Sequence, residues 1–229
     1  MNNPTLAVIL LSGGMDSAVC AAIAKEQGYE LACLHLNYGQ RTQKRELKSF
    51  NDLCDFYKIS NKLIVNVEHL ALIGGSSLTD NLIEVSKPYS DSSDIPTSYV
   101  PFRNANILAI ATSWAEIINA QYIIIGAMQL DYSGYPDCRR EFFDSYEKTI
   151  DLGTKPETSI KILTPIIDFS KKDIVQKGLE LDVPFELTWS CYKNDETACG
   201  ECDSCALRLK GFEQAGFKDK INYQLTIIS

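Results

Sequence analysis

Three shortages bound what this 229-residue chain can be. No apolar run approaches the ~20 residues that a membrane-spanning helix needs. The first apolar stretch, Leu6–Leu11, is too short for a signal-peptide core and has no basic residue before it. Basic charge is also scarce: 22 Lys and Arg face 30 Asp and Glu, for a net charge of −8. A polyanion ligand normally leaves a basic footprint, so neither nucleic acid nor membrane is expected as a partner. Histidine is nearly absent, with only His35 and His69.

What is present suits one globular domain over residues 1–229, since 45% of the residues are hydrophobic and 23% charged. Seven of the eight cysteines fall into two groups. Cys20, Cys33 and Cys54 are scattered through apolar patterns, where a free thiol behaves as a small hydrophobe. Cys191, Cys199, Cys202 and Cys205 crowd into fifteen positions. Such a cluster in a chain without secretory features reads as a metal site in a reducing compartment, the cytoplasm.

Strand-like runs alternate with helix-length periodic segments. Strands are expected at 6–11, 30–36, 62–67, 122–126 and 160–164. Helices are expected at 18–27, 42–57, 103–118, 139–150 and 203–215, with a further one starting at Ser170 through a capping box with Asp173. Residues 69–98 break the pattern and read as a surface excursion of the kind that closes as a lid. The alternation implies an α/β fold: a central parallel sheet flanked by helices in the Rossmann manner. A cysteine-bearing segment, 188–217, follows near the C-terminus.

The junction from the first strand into its helix carries the first chemical argument. Leu11-Ser12-Gly13-Gly14-Met15-Asp16-Ser17-Ala18 places two glycines and two hydroxyls at a helix N-terminus. Backbone N–H groups and the helix dipole there favour an anion of phosphate size. The Gly-Lys-Ser/Thr ending of a Walker loop is missing, which suits a diphosphate that departs intact. A tight turn with glycines serving geometry alone is the bland alternative.

Cys191-x7-Cys199-x2-Cys202-x2-Cys205 is the metal signal. Four thiolates complete a tetrahedral zinc site and leave no position for water, so a structural Zn2+ is expected. An iron–sulfur cluster also takes four cysteines, although the bacterial ferredoxin spacing is absent. Lys193, Arg208 and Lys210 are near enough in sequence to offset the negative charge of such a site.

Ser12–Ser17 resembles the loop of the N-type ATP pyrophosphatases, the PP-loop superfamily with an adenine nucleotide alpha hydrolase-like fold. Three further strings make the chain similar to one branch, the 7-cyano-7-deazaguanine synthases of queuosine biosynthesis. They are His35–Arg41, Tyr99–Asn104 and Asp131–Arg139. Phe102 departs from that pattern, which often has Gly at its position. The resemblance spans about Ala7 to Phe212.

It implies an ATP-dependent ligase that converts 7-carboxy-7-deazaguanine and ammonia to the nitrile through adenylated intermediates, with Mg2+ accompanying ATP. Residues 11–18 would bind ATP. Asp16, Arg103, Arg139 and Lys171 would act in catalysis, by positioning ATP or contacting phosphate or carboxylate. Tyr38, Gln40, Arg41, Asp131, Ser133, Tyr135 and Asp137 would hold the substrate, with Tyr132 a further stacking candidate. The chain is too short for a glutaminase domain, and residue 2 is Asn rather than a nucleophilic Cys, so free ammonia is the expected nitrogen donor. A homodimer also follows from the resemblance. The competing reading is a PP-loop enzyme that adenylates another acceptor, such as a tRNA-modifying thiolase or a paralogue acting on a different carboxylate or a protein.

Overall fold

A computed structural model describes residues 4–85, 95–129 and 134–224. Asp131, Tyr132 and Ser133, together with 86–94 of the excursion, lie outside the described residues. Five strands form one parallel sheet: β1 (Leu6–Leu10), β2 (Glu30–Asn37), β3 (Lys62–Asn66), β4 (Tyr122–Ile124) and β5 (Lys161–Leu163), in the order β3-β2-β1-β4-β5. The helices are α1 (Met15–Glu26), α2 (Gln43–Phe56), α3 (His69–Ile73), α4 (Arg103–Ile118), α5 (Arg140–Gly153), α6 (Lys171–Glu180) and α7 (Asp203–Ala215).

The central strand shows why the sheet must be covered twice. Successive side chains point to opposite faces, and both faces of β1 are apolar. Ala7, Ile9 and Leu11 enter a core with α1, α2, α6 and α7, while Val8 and Leu10 enter a second core with α4 and α5. Trp189 and the four C-terminal cysteines form a third, smaller cluster. The strand order reverses between β1 and β4, so a crevice opens there at the carboxyl ends of the strands.

The expected elements are present, with differences at their ends. α4 and α7 have the expected bounds, and the capping box of α6 forms, with Asp173 N–H donating to Ser170 Oγ and Ser170 N–H to Asp173 Oδ2. The excursion is less irregular than its composition suggested. It opens with α3, because Leu70 reaches the core, and continues through buried Ser76, Ser77 and Leu78. Among the described residues no helix is long and apolar enough to cross a membrane.

Candidate functional site

A cavity of about 240 Å³ occupies the crevice and is lined by the loop after β1, the ends of β2 and β4, the start of α4, and residues around the first clustered cysteine. The loop owes its shape to local constraints. Gly13 has φ +91°, and a Cβ there would sit 2.6 Å from the Glu46 carbonyl oxygen, so α2 closes one side of the loop to any side chain. Gly14 is the N-cap of α1 and supplies no side chain to it. The first-turn N–H groups therefore have no side-chain cap, unlike those of α6, and remain suited to an anion. Ser17 Oγ donates to Gly14 O at 3.0 Å and accepts from Ser12 N–H at 3.2 Å, which stiffens the turn. Gly126, just past β4, forms the opposite wall: a Cβ there would lie 3.1 Å from Ser17 N and 3.2 Å from the Asp16 carbonyl carbon.

Asp16, at the start of α1, meets Lys171, at the start of α6. Lys171 Nζ donates to both carboxylate oxygens at 2.8 Å. Asp16 lines the cavity with Leu11, Ser12, Gly14, Met15 and Ser17.

On the other side stands Arg103, the first residue of α4. Its Nη1 donates to Tyr38 Oη at 3.3 Å, and its guanidinium carbon lies 5.6 Å from the centre of the Tyr38 ring. Its buried Nε has no partner among the described residues. Burial opposes the charge on Arg103, but the electrostatic pull of Tyr38, Tyr135, Cys138 and Tyr192 together outweighs it, so its pKa stands above the ordinary arginine value. A cation held against phenols at a cavity wall has the chemistry to pair with a carboxylate or phosphate. Burial also raises Tyr38 to about 12, which keeps its hydroxyl protonated.

Among the described residues, the other expected substrate residues and Arg139 turn away from the cavity. Gln40 Oε1 accepts from Tyr38 N–H at 2.8 Å and its Nε2 donates to Glu46 at 3.1 Å, an arrangement internal to the turn after β2. Arg41 donates to the carbonyls of Ser77, Asp80 and Ile83 at 2.7–2.8 Å, tying down the excursion. Asp137 is buried and accepts from Asn104 N–H at 2.9 Å, so it caps the N-terminus of α4 from outside and burial raises its pKa. Tyr135 bonds Ser98 Oγ at 2.7 Å and leans on Tyr99. Arg139 is the exposed N-cap of α5. None of these five residues lines the cavity.

Several lining residues had no assigned role in the sequence: Glu46, Gly126, Trp189, Ser190, Tyr192 and Ser204. Three of them flank Cys191 in the string Trp189-Ser190-Cys191-Tyr192, and that adjacency was the available signal. Glu46 accepts from Thr42 Oγ1 at 2.8 Å and from Gln40, yet burial still raises its pKa. His35 donates through Nδ1 to Leu11 O at 3.1 Å, and burial lowers its pKa, so the ring is neutral.

The sulfurs of Cys191, Cys199, Cys202 and Cys205 are buried and lie within 4.8 Å of one another. Tetrahedral zinc–thiolate bonds of ~2.3 Å set sulfurs ~3.8 Å apart, so four thiols at this spacing fit such an ion. Backbone N–H groups already point at them. Cys191 Sγ accepts from Lys193, Asn194 and Cys199 at 3.3–3.4 Å, and Cys199 Sγ accepts from Cys202 at 3.3 Å. Arg208, expected to balance this charge, is spent elsewhere. It pairs with Asp219 through Nε at 2.6 Å and Nη2 at 3.0 Å, with both side chains 1% exposed.

Fold and site together define an α/β protein with an anion-suited glycine loop at the crevice of a parallel sheet and an added four-cysteine site. A 4-thiouridine synthetase solved in complex with RNA and bound ATP shares this fold, with TM-score 0.53 and 19% identity over 93% of this chain and 50% of that one. The family model described as queuosine biosynthesis protein QueC matches residues 6–216, and the chain belongs to that family. It is 60% identical to the 7-cyano-7-deazaguanine synthase of Chloroherpeton thalassium, over 96% of this chain and 97% of that one. It is 58% identical to the synthase of that name from Chlorobium phaeobacteroides (strain DSM 266), over 95% and 96%.

Proposed function

We propose that this chain converts 7-carboxy-7-deazaguanine and ammonia to 7-cyano-7-deazaguanine at the expense of ATP, within queuosine biosynthesis. The observation that carries the reading is a single cavity lined by both the phosphate loop and Arg103, in a chain whose relatives of that name match it almost end to end.

In this scheme the substrate carboxylate attacks the α-phosphorus of ATP, and the P–O bond to the β-phosphate breaks to release diphosphate. Ammonia displaces AMP to give the amide. The amide oxygen is then adenylated by a further ATP, and loss of AMP and a proton leaves the nitrile.

The protein contributes position and charge. Loop N–H groups and the Ser12 and Ser17 hydroxyls hold the departing diphosphate. Lys171 brings a cation to the same end, and Asp16 is placed to meet Mg2+ on the phosphates. Arg103 receives the carboxylate, with Tyr38 and Tyr192 as the aromatic walls for the flat base. The four cysteines hold Zn2+, which supplies structural cross-linking of the segment that carries Trp189, Ser190 and Tyr192. Asp137 and Arg139 then act through the helix starts they occupy rather than by lining the cavity.

An assay of purified, metal-replete protein with the deazaguanine acid, ammonium and ATP tests this. Nitrile with AMP and diphosphate is expected. ADP and orthophosphate, or turnover only with another acceptor such as tRNA, would overturn it.

A further inference from the structure

Trp189 is hydrogen-bonded in two directions. Its backbone N–H donates to Gly13 O at 2.9 Å, inside the phosphate loop. Its indole Nε1–H donates to Asn194 O at 3.1 Å, and Asn194 N–H donates to Cys191 Sγ at 3.3 Å. A continuous path thus runs from a cysteine sulfur to the loop. The ring is 3% exposed, and the Arg45 guanidinium lies 4.6 Å from its centre, itself fixed by a 2.7 Å bond to Ser49 on α2.

The loop end of this path leaves little slack. α2 forbids a side chain at Gly13, so the turn is held between α2 on one side and Trp189 on the other. In a planar trans peptide the N–H points opposite to the C=O. Anchoring Gly13 O on Trp189 therefore turns Gly14 N–H the other way, where it meets Ser12 Oγ at 3.2 Å. Both Gly14 and Ser12 line the cavity.

We propose that Trp189 is a positioning residue that couples metal occupancy of the four cysteines to the anion-binding shape of the phosphate loop. The inference rests on ATP being the ligand of that loop. Drawing the four sulfurs together closes the 191–199 turn, fixes the Asn194 carbonyl, and through the indole holds the Gly13 carbonyl. Metal and nucleotide then bind with positive coupling, and linkage makes the effect equal in both directions.

The chain has two tryptophans, so Trp114→Phe leaves Trp189 as the sole reporter. ATP with Mg2+ is titrated into zinc-replete and chelator-stripped Trp114→Phe protein while Trp189 emission is followed. In parallel, zinc transfer to a chelator is measured with and without saturating ATP. Stripping should weaken ATP binding about tenfold, and ATP should raise zinc affinity by the same factor. Trp189→Phe keeps an aromatic ring but loses the indole donor. In the zinc-replete state, read by calorimetry, it should bind ATP several-fold more weakly and retain zinc to the same extent with or without ATP. That variant keeps the test decisive if stripped protein unfolds. Wild-type ATP affinity in Trp189→Phe, with zinc retention still raised by ATP, overturns the coupling while leaving the proposed function standing. Absence of ATP binding by zinc-replete wild type overturns both.

Discussion

Lys171 Nζ lies 2.8 Å from each carboxylate oxygen of Asp16, although the two residues are 155 positions apart. With 15% and 30% of their side chains exposed, the pair is partly screened and contributes little to stability. Its value is placement, since it sets one cation and one anion at the mouth of the phosphate loop. Lys171→Met and Asp16→Asn should each lower turnover by about 10²- to 10³-fold, the range for losing one group that stabilises developing charge. Thermal midpoints should move by only a few degrees. Diphosphate release and a melting curve on the same preparations check this. Unimpaired turnover in either variant would remove the pair from the chemistry.

Phe102 precedes α4 with φ +55°, a left-handed conformation that a bulky residue adopts only under strain. Its ring is 60% exposed, with one edge contact to Phe142, so little packing repays the strain. Phe102→Gly should stabilise the protein by about 0.5–1 kcal/mol, the relief of strain exceeding the entropy that Gly adds to the unfolded chain. Phe102→Ala keeps a Cβ and should not stabilise. Urea unfolding of the three proteins separates these outcomes.

Arg208 and Asp219 form a bidentate pair at 1% exposure, and Arg208 also donates to Thr188 Oγ1 and Phe185 O. Removing one partner leaves a buried charge without its counter-ion. Asp219→Ala should therefore cost about 3–5 kcal/mol, and chemical denaturation should register a lower midpoint. A loss under 1 kcal/mol would show that water reaches the guanidinium.

His35 is buried and its pKa is lowered by desolvation. In the unfolded chain it titrates at the ordinary value near 6.5, so between that pH and the depressed folded value the unfolded state binds more protons. Stability from this group is present above about pH 6.5 and is lost as pH falls, at up to about 1.4 kcal/mol per pH unit. His35→Gln should flatten the acid limb of stability below about pH 6.5. An unaltered slope would assign that limb to other groups.

Much of this architecture was written in local patterns. Apolar runs mark strands covered on both faces, Ser170 and Asp173 mark a helix start, and the cysteine spacing marks one thiol tetrad, because each depends on residues close in sequence. The glycine loop was legible for the same reason. Partnering across the fold was not. Asp137 and Gln40 have the chemistry to hold a base, yet α4 takes the first as its cap and the turn after β2 takes the second. Arg41 has the chemistry of a carboxylate receptor, yet three backbone carbonyls consume it. Hydrogen-bonding groups go to whichever unmet donor or acceptor packing brings nearest, and only the tertiary structure decides that. The same packing laid α6 beside α1, joining Lys171 to Asp16, and set Trp189 against Gly13.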